Sequence, residues 1–176
     1  NAAASLTANL EALRAYEEGM DLAYRWLVDE AVAAFRRATE LDPQFAYAYL
    51  RLAWMLMYSD FPQARQVMLR ASQLAGRLSL PRQQKLIIQA WQLMFDGRSQ
   101  EAEQVAHKAV LEFSLEIEPR MALAGARLTD WRWTEVKTVS EEIIRMDDRQ
   151  SLYHAVIGYA YANEGDVDGA LAAMDR

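Results

Sequence analysis

The sequence predicts an all-α fold, a stack of about five helical hairpins. Three observations carry that prediction. The first is a recurring seam. Ala31, Phe35 and Ala38 fall at i, i+4, i+7, one face of a 3.6-residue period. The same face returns as Ala64, Met68, Ala71, as Ala102, Ala106, Ala109, as Val136, Ser140, Ile143, and as Ala170, Met174, with leading residues 33, 38, 34 and 34 positions apart. The second is the placement of the prolines: Pro43, Pro62, Pro81 and Pro119 all fall at predicted helix starts, where a missing N–H is tolerated. The third is that no stretch alternates apolar and polar residues as a strand does. Hairpins with a small-large-small seam cannot bury it alone, so they stack, and five exceed the three or so needed for stability.

Taken in order, residues 6–23 form a first helix, capped by Thr7 or Asn9 and carrying Leu10, Leu13 and Glu17 at helical spacing. Gly19 inside it disfavours the helix by about 1 kcal/mol against alanine, which is explained if the partner helix approaches closely around Ala31 and Phe35. After an apolar turn over 24–28, Asp29 and Glu30 set negative charge at the positive end of the second helix. Asp42-Pro43 ends that helix, and the third spans 44–58. Ser59 or Asp60 caps the fourth, with Pro62 in its first turn and Gly76 interrupting its end. The 38-residue spacing falls here, so residues 74–81 carry the extra length, and Ser79 with Pro81 marks the restart of a fifth helix that reaches Phe95. Asp96-Gly97 ends it, and Ser99 caps a sixth helix. Helix seven spans 119–128, helix eight 133–146 and helix nine 151–163, with Asp147-Asp148 and Glu164-Gly165-Asp166 as breaks, and helix ten begins near Val167. The units so defined are 6–43, 44–80, 81–116, 117–149 and an incomplete 150–176.

A helix-turn-helix with a period near 34 resembles the tetratricopeptide repeat (TPR) family. The first unit matches best, with Gly19, Ala31, Phe35, Ala38 and Pro43 at the family's spacing, followed by the last, with Gly158, Tyr161 and Ala170. The resemblance covers nearly the whole chain and implies a right-handed superhelix, a TPR-like α-solenoid. One junction departs from the pattern: Ser114 stands where proline would be expected. The segments SLTANLEALRAYEEG, RLSLPRQQKLIIQA and FDGRSQEAEQVAHKAV look like TPR segments that follow kinase or winged-helix domains in bacterial regulatory proteins. The chain then reads as a piece of a longer protein. The apolar face Val167, Ala170, Leu171, Met174 lacks the polar cover of a terminal repeat, which predicts that the natural protein continues and that this end frays or self-associates.

Composition narrows the function. The net charge is −6, and the arginines are scattered with no basic run, which speaks against nucleic acid. Hydrophobic residues are 52% of the chain, ample for a core. There are no cysteines, which removes disulfides and thiolate metal sites; any compartment fits, with the cytoplasm favoured. No apolar run approaches the ~18 residues of a membrane span, and the N-terminus has no signal-peptide pattern. No nucleophile elbow, phosphate loop or paired-acid pocket is present, so no catalysis and no cofactor are expected. Glu103 and His107 share a helix face at i, i+4, but a metal needs a third ligand. His154 reads as a satisfied core histidine, and Glu17, Glu18 and Asp21 as a solvated face. In DWRW, Arg132 between Trp131 and Trp133 suggests turn aromatics covering a hairpin end, or a cation–π contact.

The informative feature is a second apolar stripe on the first helix of each hairpin. Helix three buries Tyr49, Leu52, Ala53 and Leu56, yet Tyr47, Leu50, Trp54, Met57 and Tyr58 remain, and between Phe45 and Tyr58 the only charge is Arg51. Helix five repeats the stripe as Ile87, Trp91, Met94, Phe95; helix one offers Tyr16, Met20, Tyr24, and helix nine Tyr159. A helix apolar nearly all round needs two covers. One is its hairpin partner; the other is a neighbouring unit or a ligand. The resemblance implies that first helices line a concave peptide-holding surface, which places Tyr16, Met20, Tyr24, Tyr47, Leu50, Trp54, Tyr58, Ile87, Trp91 and Phe95 in a groove, with Met121 a weaker candidate. The lysine and asparagine that grip a terminal carboxylate in some TPR domains are absent from these positions. An aromatic, Met-rich groove suits an apolar or amphipathic helix or a Pro-rich segment. The expectation is a non-catalytic protein- or peptide-binding scaffold. The rival is an oligomerising module that pairs chain with chain through the groove or the C-terminal helix.

Overall fold

The computed structural model describes residues 6–175. Among them are ten helices and no strand: α1 (Leu10–Tyr24), α2 (Val28–Leu41), α3 (Ala46–Leu56), α4 (Phe61–Arg77), α5 (Arg82–Phe95), α6 (Ser99–Glu112), α7 (Glu118–Thr129), α8 (Trp133–Met146), α9 (Ser151–Glu164) and α10 (Val167–Met174). None of them is long and apolar enough to cross a membrane. Each helix packs chiefly on its neighbours in the chain, and α5 also meets α3 and α7.

The seams explain the stack. Ala31, Phe35, Ala38, Ala64, Met68, Ala71, Ala102, Ala106, Ala109, Val136, Ser140 and Ile143 are all fully buried. In the first two seams small residues at the ends let the helices close and Phe35 or Met68 fills the gap between them; the third is alanine throughout, and the fourth sets Ser140 between Val136 and Ile143. Only the last seam is open: Ala170 is buried, but Met174 is 48% exposed. The close approach expected at Gly19 is present, since a Cβ there would stand 2.7 Å from the Phe35 ring.

Caps fix several helix starts. Asn9 accepts from the N–H groups of Glu11 and Ala12, Asp60 from that of Gln63, and Asp166 from that of Gly169. These side chains satisfy first-turn donors that have no partner inside the helix. Some expected boundaries shift. α1 starts at Leu10, after its cap, and α3 is shorter than expected, so Pro43 sits in the turn ahead of it. Ser99 does not cap α6; Arg98 holds that position, with no side-chain bond. Gly76 does not end α4, which runs on through Arg77. His154 is half-buried, with Nε2 3.1 Å from the Asp148 carbonyl oxygen, and so is not a core residue.

Four of the five turns inside the hairpins share a backbone signature. Gly97 and Gly165 have φ of 75° and 81°, and Trp26 and Trp131 have φ of 57° and 56°. All four lie seven residues after the small residue of their own first helix, namely Ala90, Gly158, Gly19 and Ala124. Four hairpins place a left-handed residue there, two of them tryptophan, whereas in the α3–α4 hairpin the equivalent Asp60 has a φ of −144°.

Candidate functional site

Helix α3 is the centre of the molecule. Its residues from Ala46 to Leu56 are all buried except Tyr49, which is half-buried. Arg51 is 1% exposed and forms an ion pair with Glu118 at the start of α7. Its guanidinium lies 5.7 Å from the Tyr47 ring centre and 5.5 Å from that of Trp54. Burial opposes the Arg51 charge, but Glu118, with Tyr16 and Tyr47 nearby, more than offsets that and holds its pKa well above the usual value. Burial likewise pushes the Tyr16 phenol up to about 12 and the Tyr47 phenol well up. The pair ties the second hairpin to the fourth across the inner face, closing the half of that face nearest Tyr16 and Tyr47.

The other half stays open. A pocket of about 260 Å³ lies where the last turns of α3, α5 and α7 converge under the first turns of α9. Trp54 and Trp91 form one wall, with ring centres 6.4 Å apart, and Phe61 stacks on Phe95 at 5.6 Å. Met57, Met94 and Met121 line it with pliable thioethers, and Leu152, Tyr153 and Val156 of α9 close the far side. No lining residue carries a charge at neutral pH. Burial also pushes the Tyr153 phenol up.

The pocket has a cause in the sequence. Met20, Trp54, Trp91, Gly125 and Tyr159 each directly follow the small residue of their first helix, Gly19, Ala53, Ala90, Ala124 and Gly158. Two hairpins place tryptophan there, and α7 places glycine. A Cβ on Gly125 would meet Trp91 and the Met94 sulfur, each at 3.3 Å. Gly125 thus lets the Trp91 ring and the Met94 thioether close against the α7 backbone and form that wall of the pocket.

Of the ten residues picked from the sequence, Trp54, Tyr58, Trp91 and Phe95 line this pocket, as does Met121. Tyr16, Met20, Tyr47, Leu50 and Ile87 lie in the core, and Tyr24 is half-buried with Arg149 5.6 Å from its ring centre. The core residues are covered because the first helices of non-adjacent hairpins meet, as Arg51 and Glu118 do. Sequence reasoning did not pick Phe61, Gly125, Leu128, Trp131 or the α9 residues. For α7 the signal was available: Met121, Gly125 and Leu128 fall at i, i+4, i+7.

Other constellations turn out to be structural. Glu103 accepts from Arg127 Nε at 2.9 Å and from Arg132, and Glu135 pairs with both arginines. Glu103 is thus engaged by arginines on the side it shares with His107. Arg132 is held in this network while Trp131 and Trp133 pack on each other, ring centres 5.7 Å apart. Trp131 is 71% exposed and borders the pocket. Trp26 meets Tyr58 edge-on at 4.9 Å.

No protein-family model and no curated protein matches the sequence. Solved structures do. One is MamA, 16% identical, with 89% of this chain and 90% of that one aligned at a TM-score of 0.51. Another is MamA from Desulfovibrio magneticus RS-1, 13% identical, covering 97% and 93% at 0.50. A third is a chain of the APC/C hetero-tetramer Cut9-Hcn1, 16% identical, covering 94% of this chain and 32% of that one at 0.53. The fold is a TPR-like α-solenoid. At these identities the likeness is one of fold alone.

Proposed function

We propose that this chain is a non-catalytic protein-interaction scaffold that seats an apolar or amphipathic partner segment on its inner face. The observation that carries the reading is the uncharged apolar pocket of about 260 Å³ walled by Trp54, Trp91 and Met121 and by Leu152, Tyr153 and Val156 of α9. A preformed frame loses little conformational freedom on binding, so burial of apolar surface translates efficiently into affinity. Aromatic and methionine walls accept a bulky side chain without a fixed hydrogen-bond pattern. The test is affinity for a leucine-faced amphipathic helical peptide, by fluorescence, in the wild type and in Gly125→Leu, whose side chain crowds Trp91 and Met94 and pushes that wall into the pocket. Binding should weaken about tenfold or more in the variant, the loss of one buried anchor. Equal affinities would remove the pocket from the function. On the resemblance alone, we read this scaffold as a docking part of a larger bacterial regulatory protein.

A second reading, self-association, is favoured by one observation. Val167, Leu171 and Met174 of α10 are 66%, 59% and 48% exposed on one short helix. If that face pairs, solution mass rises with concentration and Leu171→Glu abolishes the rise.

A further inference from the structure

We infer that the pocket selects a tyrosine: the partner segment seats an aromatic ring between the apolar walls and bonds its hydroxyl to that of Tyr153. The inference rests on the scaffold reading above and names the anchor.

The walls are apolar, but two buried hydrogen-bond donors on them have no partner. Trp91 on α5 and Tyr153 on α9 are each 5% exposed, and both line the pocket. Buried indole N–H and phenol O–H groups usually find a partner. Among the described residues neither of these does; burial acts on the Tyr153 phenol with no hydrogen bond to ease it. The two donors are not sealed in either. The sealed side-chain atoms without a partner, among the described residues, belong to Arg51, Gln92, Glu118 and Ser140. Both donors therefore stay reachable, and the opening that the two residues share is this pocket. The other polar groups of the wall are accounted for. The Trp54 indole serves the Tyr58 hydroxyl, and Thr129 donates to the Ala126 carbonyl at 2.6 Å. Trp131 is mostly exposed to solvent.

A donor left over in an apolar wall asks for an acceptor on the occupant. The chemistry of the walls narrows which one. No lining residue is cationic, so a carboxylate would give up its hydration without a countercharge. Glutamine or asparagine would bring amide N–H groups that rings and thioethers leave unpaired. A phenol brings a single hydroxyl, which accepts from Tyr153. Its ring lies against the aromatic walls, and aromatic pairs hold more tightly than their buried area alone gives. Size agrees with this. The cavity of about 260 Å³ is on the order of nine times the ~30 Å³ share of one water in the liquid. Leucine leaves much of that space unfilled and forfeits the contacts, and a phenol fills more of it.

The test uses three amphipathic helical peptides that differ only in the central anchor, which is tyrosine, phenylalanine or leucine. Affinity is read from the protein's tryptophan emission, for the wild type and for Tyr153→Phe. The tyrosine peptide should bind the wild type about fivefold more tightly than the phenylalanine peptide, the worth of one neutral hydrogen bond, with leucine weakest. In Tyr153→Phe that preference should shrink to about twofold or less, through weaker binding of the tyrosine peptide alone. The hydroxyl has no partner inside the protein, so the variant should unfold at the wild-type urea midpoint or above it. Equal affinity for the tyrosine and phenylalanine peptides would overturn the inference and leave the scaffold reading standing. A tyrosine preference unchanged in Tyr153→Phe would overturn it too, by placing the selectivity elsewhere. A lowered urea midpoint in the variant would show that the hydroxyl is spent within the fold, with the same consequence. Failure of all three peptides to bind would sink both readings.

Discussion

Two tryptophans hold a backbone conformation that the same turn elsewhere gives to glycine. A left-handed conformation costs an L-residue about 1–2 kcal/mol, and Gly97 and Gly165 avoid that cost at the equivalent positions. Trp26 recovers part of it by packing on Tyr58; Trp131, mostly exposed, leans at a tilt on Trp133 and borders the pocket. Stability and function should therefore separate at Trp131. In Trp131→Gly the relief of strain is set against about 0.5–1 kcal/mol of extra chain entropy in the unfolded state. Urea unfolding should place the variant level with the wild type or up to about 1 kcal/mol above it, while affinity for the leucine-faced peptide falls several-fold. A clear loss of stability with unchanged affinity would make Trp131 a packing residue only.

Among the elements, α3 and α7 depend on each other although a whole hairpin separates them. Arg51 is enclosed by Tyr47, Trp54 and Glu118, and its Nε has no hydrogen-bond partner in the protein. Removing one member of a buried ion pair leaves an uncompensated charge, which typically destabilises by about 3–5 kcal/mol. Glu118→Gln should thus lower stability by about 3 kcal/mol. Arg51→Met/Glu118→Met should recover much of it, because the apolar surroundings accept methionine without a desolvation penalty. Urea midpoints of the two variants decide the point; equal losses in both would show that the pair's geometry, not its charge, matters. This contact also marks what the sequence could not tell. The seams were legible because small or apolar residues recur at i, i+4, i+7 with a period near 34, and the caps were legible as choices, Thr7 or Asn9 and Ser59 or Asp60, of which the structure uses Asn9 and Asp60. The inner stripes were legible as apolar faces, but their cover was not. Whether Tyr16, Tyr47 or Ile87 meets solvent depends on which first helices converge, and that is set by contacts between hairpins far apart in the chain. Gly125 is the reverse case. It looks like a helix defect by itself, and its use, to let Trp91 and Met94 close on α7, shows only when the hairpins are aligned.

At the scale of the whole molecule, buried phenols gather along the inner side. The Tyr16 phenol is pushed up to about 12, and those of Tyr47 and Tyr153 well up, by burial. In the unfolded chain a tyrosine ionises near 10. The folded state therefore keeps protons that the unfolded state releases, and the stability this carries is full below pH ~10 and lost as pH rises toward about 12. The urea midpoint should fall steeply above pH ~10, and less so in Tyr16→Phe/Tyr47→Phe, whose phenyl rings cannot ionise. Tyr153 also lines the pocket, so the burial that raises its phenol and the apolar wall of the pocket share one residue.

The central claim is that this opening receives a partner's apolar side chain, and methyl resonances of the methionines test it most directly. Met57, Met94 and Met121 line the pocket, Met55 and Met68 are fully buried elsewhere, and Met174 lies on the exposed face of α10. On addition of the leucine-faced peptide, the account predicts shifts at Met57, Met94 and Met121, with Met55 and Met68 unmoved. Shifts confined to Met174 would contradict it and move the interaction surface to the C-terminal helix.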